Sequence, residues 1–146
     1  MRIRAAAASD AAEWLRMRSA LWPDGDHSAD IADFLRTGGS SLLTAVFVAE
    51  RESGQLAGFI EIGLRPYAEG CESSPVPFIE GWYDDADVRR THIGAELVRA
   101  AEEWARGRGY REMASDVELE NDISIAAHAA LGYEEASRLV CFRRDL

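Results

Sequence analysis

Glu80-Gly81-Trp82-Tyr83-Asp84-Asp85-Ala86-Asp87-Val88-Arg89-Arg90-Thr91-His92-Ile93-Gly94 is the stretch on which the fold turns. With the apolar residues before it, it reads as a strand over 76–83 that leads through a charged turn into a helix. Ile93, Leu97, Ala101, Trp104 and Ala105 recur at helical spacing, and Gly107 and Gly109 close that helix. A helix start leaves backbone N–H groups without intrahelical partners, and arginines just before it add positive charge. The turn therefore suits a pyrophosphate. A solvated surface turn has the same local composition.

Working outward, 42–50 and 56–65 are rich in apolar strand formers and flank Glu52-Ser53-Gly54, which predicts an antiparallel hairpin. Upstream, a short strand near Ile3 precedes Asp10 and Glu13, a candidate capping box. Trp14, Met17, Arg18 and Leu21 then mark one side of a helix that Pro23 ends. Ser28 is placed to cap a second helix, stopped by Gly38-Gly39. Downstream, 113–117 reads as a strand, 124–130 as a helix and 135–143 as a terminal strand or hairpin. The order βααβββαβαβ predicts an α/β (α+β) fold in which a mixed sheet carries helices on both faces, within one domain over 1–146. No repeat or low-complexity linker divides it.

The chain has 146 residues, 47% of them hydrophobic, enough to bury a core. Its formal charge of −10 repels nucleic-acid phosphates and anionic lipid, so neither nucleic acid nor membrane is an expected partner. Cys71 and Cys141 are too few for a disulfide scaffold, which points to a reducing cytoplasm. Asp10 and Glu13 interrupt the alanine-rich start before it acquires the apolar core of a signal peptide, and no membrane-length apolar run follows.

The segment Arg89-Arg90-Thr91-His92-Ile93-Gly94 resembles the Q/R-x-x-G-x-G/A pattern of the GNAT superfamily of acyl-CoA N-acyltransferases, with His92 in place of the first glycine. The resemblance implies a GNAT-like, mostly antiparallel sheet in which a bulge splays one strand from its parallel neighbour. Acetyl-CoA enters that gap, with no metal required. It implies cofactor contacts from Trp82, Tyr83 and Asp84 through their backbone, from Arg89, Arg90, Thr91, His92, Ile93, Gly94 and Ala95 at the helix start, and from Asn121. Gly94 is expected to admit a close approach of backbone to ligand. Asp84 and Asp85 would repel pyrophosphate if they pointed inward, so both are expected to face solvent.

Further matches extend over nearly the whole chain: Leu21-Trp22-Pro23, Tyr67, Gly70-Cys71-Glu72-Ser73-Ser74-Pro75-Val76, Phe78-Ile79-Glu80-Gly81, Arg111-Glu112-Met113-Ala114-Ser115-Asp116, Glu120-Asn121, Ser124, His128 and Ala130-Leu131-Gly132-Tyr133-Glu134-Glu135. Together these resemble the class I aminoglycoside 6′-N-acetyltransferases. The resemblance implies that Glu72, Glu80, Asp116 and Glu135 receive a polycationic amine, that Trp22 and Tyr67 wall its sugar rings, and that the enzyme forms a homodimer. An ion pair at about 4 Å is worth about 1 kcal/mol in water and about 4 at an effective dielectric near 20, so several carboxylates together hold a polycation.

Acyl transfer needs a neutral amine, and an alkyl amine with a pKa near ~10.4 lies about 3.4 units from neutrality at pH 7, roughly 4.6 kcal/mol. Glu80 and Asp116 are the candidate bases. His128 occupies the place where many GNAT enzymes carry a tyrosine suited to protonating the CoA thiolate, and it is the candidate acid. Two other readings stay open: a GNAT enzyme for another small polyamine or a protein amine, and a noncatalytic acyl-CoA-binding module.

Overall fold

The computed structural model describes residues 1–146. Five strands form one sheet in the order β1 (Arg2–Ala5), β2 (Ala45–Glu50), β3 (Leu56–Arg65), β4 (Val76–Asp84) and β5 (Ala114–Ser115). The first four pair antiparallel, and β4 pairs with β5 in parallel. Four α-helices complete it: α1 (Ala11–Leu21), α2 (Ser28–Thr37), α3 (Ile93–Gly107) and α4 (Asp122–Ala130). This is the mixed, mostly antiparallel sheet expected.

Alternation along the strands builds two cores. Ala45 and Ala49 of β2 with Ile60 and Ile62 of β3 pack toward α3, against Ile93, Leu97, Val98 and Ala101. Val46 and Val48 with Leu56 and Phe59 face the other way, against Trp14 and Met17 of α1 and Ile31 of α2. Glu61 shares the Phe59 side and is almost completely buried. Trp14 Nε1 donates to Glu61 Oε1 at 2.8 Å, and Arg18 Nε lies 3.1 Å from the same oxygen, an ion pair poorly aligned for a hydrogen bond. Burial pushes the Glu61 carboxyl above its ordinary range, and the Arg18 charge opposes that shift.

The positioning feature is a bulge. Glu61 pairs with Gly81 and Ile62 with Ile79, leaving Glu80 as the extra residue of β4. Ile79 belongs to the α3-side core, yet both Glu80 and Gly81 turn to the α1 side: Glu80 packs beside Gly63, and Gly81 lies beneath Trp22. The same point ends the pairing with β5, because Ile79 opposite Ser115 is the last parallel pair.

Three expectations are corrected. Residues 135–143 form no strand, and Leu139, Val140 and Phe142 stand exposed. A strand needs a neighbour, and β5, only two residues long, extends no template for one. Asp10 does not cap α1; its carboxylate accepts the Ala7 N–H and pairs with Arg4 at 2.7 Å, tying the chain before the helix to β1. Glu13, the other half of the expected box, instead binds Arg16 and the Leu56 N–H.

Candidate active site

The candidate site has two parts on opposite faces of β4, a candidate cofactor side at the start of α3 and a candidate amine side beside α1. On the cofactor side, α3 begins at Ile93 after two residues in the left-handed region, Arg90 at φ 67° and His92 at φ 70°. Left-handed backbone favours glycine, the residue that the resembled pattern carries where this chain has His92. The backbone N–H groups of residues 92–95 take no hydrogen bond within the chain. They form the electropositive end of a fifteen-residue helix, flanked by exposed Arg89, Arg90 and Thr91. Arg89 Nε donates to the Asp84 carbonyl at 3.1 Å, which ties this turn to the end of β4.

Neither Asp84 nor Asp85 faces solvent as expected. Asp85 sits in a cage of arginines, 2.9 Å from Arg16 and 3.3 Å from Arg51, which more than offset its burial and hold its carboxyl below the usual range. Asp84 is wedged between two glycines: a Cβ on Gly58 would lie 2.8 Å from its Oδ1, and one on Gly94 would lie 2.5 Å from its Oδ2. Glycine at 94 thus serves helix-to-strand packing against Asp84 and Trp82. Asp84 Oδ1 and Trp82 Nε1 are buried without hydrogen-bond partners. Desolvation, reinforced by Asp85 and opposed by Arg89, pushes the Asp84 pKa up to about 6.

On the amine side, Trp22 and Glu80 line one cleft of about 430 Å³, together with Arg18, His27, Asp30, Asp33, Phe34 and Glu61. The Trp22 ring occupies the space that Gly81 leaves, since a Cβ there would lie 2.6 Å from Trp22 Cη2. The Arg18 guanidinium stacks 5.2 Å from that ring, and His27 Nε2 lies 2.8 Å from the Trp22 carbonyl. Four carboxylates against one arginine make the cleft walls anionic. Glu80 is held by Arg65 through two hydrogen bonds of 2.9 and 2.7 Å, and Arg65 in turn lies 3.5 Å over Phe78. Asp116 follows β5, exposed, within electrostatic reach of Arg65.

Tyr67, Glu72 and Glu135 lie away from this cleft. Tyr67 is exposed and donates to Glu69, Glu72 is exposed, and Glu135 pairs with Arg138. The loop carrying Tyr67 and Glu72 meets the C-terminal segment where Gly70 abuts Ala136, which brings Glu135 to the same rim. Asn121 caps α4 by accepting the Ser124 N–H at 3.1 Å. His128, on α4, lies edge-on to Trp82 with ring centres 5.4 Å apart. Sequence reasoning missed Glu61, Asp30 and Asp33. Glu61 interrupts Phe59-Ile60-Glu61-Ile62 just as Glu80 interrupts its strand, a signal that was open to reading. A more open groove of about 590 Å³ between α3 and the β1–β2 edge is lined by none of the candidate site residues. No group of three or more His, Cys, Asp or Glu side chains is placed to hold a metal ion, and no helix is long and apolar enough to cross a membrane.

Comparison with known proteins agrees with this geometry. Residues 9–133 match the model of the acetyltransferase (GNAT) family. An aminoglycoside N(6′)-acetyltransferase type 1 of Klebsiella aerogenes is 46% identical over 147 residues, covering 99% of this chain and 96% of that protein. Its counterpart in Stenotrophomonas maltophilia is 42% identical, covering 99% and 93%. Among solved structures, AAC(6′)-Iy in complex with the bisubstrate analog CoA-S-monomethyl-acetylneamine superposes with a TM-score of 0.89 at 35% identity, covering 99% of this chain and 98% of that one. The chain belongs to the acetyltransferase (GNAT) family.

The buried Asp84 carboxyl carries a measurable consequence. Its folded pKa lies above the value of an unfolded Asp, so between roughly pH 4 and 6 the folded chain binds more protons. Its contribution to stability therefore grows as pH falls through about 6 and opposes folding above it. Asp84→Asn is expected to raise the Tm at about pH 7.5 and to flatten the Tm profile between about pH 4 and 6 in scanning fluorimetry. An unchanged slope would place the carboxylate in water.

Proposed function

We propose that this protein, as one domain over 1–146, transfers the acetyl group of acetyl-CoA to the 6′-amine of aminoglycosides in the cytoplasm. Acetylation removes one cationic charge from the drug, and the outcome is antibiotic resistance. The observation that carries the reading is the bulge at Glu80, which sets an anionic, tryptophan-walled cleft on one side of β4 and the anion-binding start of α3 on the other. Acetyl-CoA would lie along the opened edge at 82–84 with its pyrophosphate on the N–H groups of 92–95. The amine would reach the thioester from the Trp22–Glu80 side.

Within that cleft, Glu80 serves as an ammonium acceptor more readily than as a base, because Arg65 already engages both its oxygens. Asp116, unpaired and exposed, is the base we favour for the first ammonium proton, directly or through water. Tyr67, Glu72 and Glu135 supply an outer rim for the distal rings. Thiol release from acetyl-CoA should be fast with kanamycin-type substrates bearing a 6′-amine and negligible with 6′-hydroxyl analogues; equal turnover would refute 6′ selectivity. In the same assay Asp116→Asn should lower kcat/KM at least about tenfold and shift its acid limb, as loss of a general base requires.

We also propose that the active form is a homodimer. Leu139, Val140, Phe142 and Leu146 are apolar and exposed in the C-terminal segment, which a second copy would cover. Phe142→Asp is expected to halve the mass found by sedimentation velocity, and a wild-type chain sedimenting as a monomer at micromolar concentration would contradict the dimer.

A further inference from the structure

His128 is fixed on all sides. Its Nδ1 lies 2.7 Å from the Ser124 carbonyl oxygen, which only accepts, so Nδ1 carries the hydrogen of the neutral ring. Nε2 is then the acceptor, and the group 2.8 Å from it is the hydroxyl Oγ of Ser115, which must donate. Trp82 and Tyr133 meet the ring edge to face at 5.4 and 5.7 Å and leave it little freedom to turn. Both nitrogens are therefore spent on protein partners, and the imidazole has no nitrogen free to offer a substrate directly.

Ser115 stands where such a partner is needed. It is the last β5 residue paired with β4, opposite Ile79, so its side chain lies at the vertex from which the two strands diverge. It is only half-buried, next to exposed Asp116. We propose that Ser115 is the catalytic hydroxyl that touches the reacting atoms and that His128 acts behind it, the two forming a proton shuttle for acetyl transfer. The proposal rests on the reading that acetyl-CoA occupies this fork.

The step balances as follows. A neutral amine forms the new C–N bond to the thioester carbonyl carbon; its N–H proton passes to Ser115 Oγ as the Ser115 hydroxyl proton passes to His128 Nε2. When the C–S bond breaks, the electron pair leaves with sulfur. The Nε2 proton returns to Oγ and the Oγ proton moves to the thiolate. One proton has moved from nitrogen to sulfur, and serine and imidazole are restored. The neutral Nδ1–H tautomer is the form this cycle must start from, because it leaves Nε2 open to the serine proton.

Single-turnover acetyl transfer, measured by rapid quench with saturating substrates in H2O and D2O, tests the shuttle. Ser115→Ala should slow the chemical step by about 100-fold, the lower range for general acid–base groups, with acetyl-CoA and aminoglycoside Kd values within about twofold of wild type. Ser115→Thr, which keeps a hydroxyl, should recover most of the rate. The Ser115→Ala/His128→Ala double variant should be no slower than the slower single variant, because both remove one pathway. A curved proton inventory in the wild type should become linear in Ser115→Ala. If Ser115→Ala keeps the wild-type single-turnover rate, or if the two losses multiply, the shuttle is wrong while the acetyltransferase reading stands. A wild type that binds acetyl-CoA but transfers nothing to any aminoglycoside, small polyamine or protein amine would overturn the acetyltransferase reading itself, and the shuttle with it.

Discussion

Everything distinctive about this molecule depends on β4 being unable to stay paired on both edges. Its last pair with β5 is Ile79 with Ser115, and the next residue, Glu80, is inserted as a bulge against β3. A bulge changes the facing of a strand by one residue, so Glu80 and Gly81 both turn toward α1 while Trp82 turns toward α3. One irregularity thus frees an edge of β4, turns a carboxylate into the cleft and makes room, at Gly81, for the Trp22 ring.

Electrostatics follow from the same geometry. In the proposed function, a chain with a formal charge of −10 has to receive an anionic cofactor and a cationic substrate a few residues apart. It separates the two by compensating or drying the acids near α3 and by gathering an excess of carboxylates in the cleft on the α1 side. Asp85 is caged by Arg16 and Arg51, and Asp84 is held dry between Gly58 and Gly94, where the charged form is disfavoured. Across the sheet, Asp30, Asp33, Glu61 and Glu80 face Arg18 alone in the cleft wall. The buried Trp14–Glu61–Arg18 contact ties α1 to β3, and Arg18 stacked on Trp22 extends that tie to the cleft wall.

Much of this was legible in the sequence, because it is written in local periodicity. The hairpin, the α3 stripe and its start after Arg89-Arg90-Thr91 all appear where the pattern places them, and Gly38 takes the left-handed conformation that stops α2. What was not legible depends on residues distant in sequence. The burial of Asp84 is decided by Gly58 and Gly94, and the charge on Asp85 is compensated by Arg16 and Arg51. Residues 135–143 carry the apolar run Leu139 to Phe142 that reads as a strand, but strand formation needs an edge that a two-residue β5 does not provide within the chain. Of the six residues expected around the amine, Trp22 and Glu80 share the cleft and Asp116 lies near Arg65. Tyr67, Glu72 and Glu135 belong to a rim where a loop and the C-terminal segment meet, a distance that motif spacing does not measure.

The central claim is that the parted edge of β4 and the start of α3 receive acetyl-CoA while the opposite face receives the amine. Amide hydrogen exchange with and without acetyl-CoA measures this residue by residue. The account predicts slowed exchange at 82–84 and 92–95, with the amides of the β1–β2 edge and the outer face of α3 unchanged. Slowing confined to the groove lined by Ile3, Phe47 and Trp104, with 82–84 and 92–95 unaffected, would contradict it.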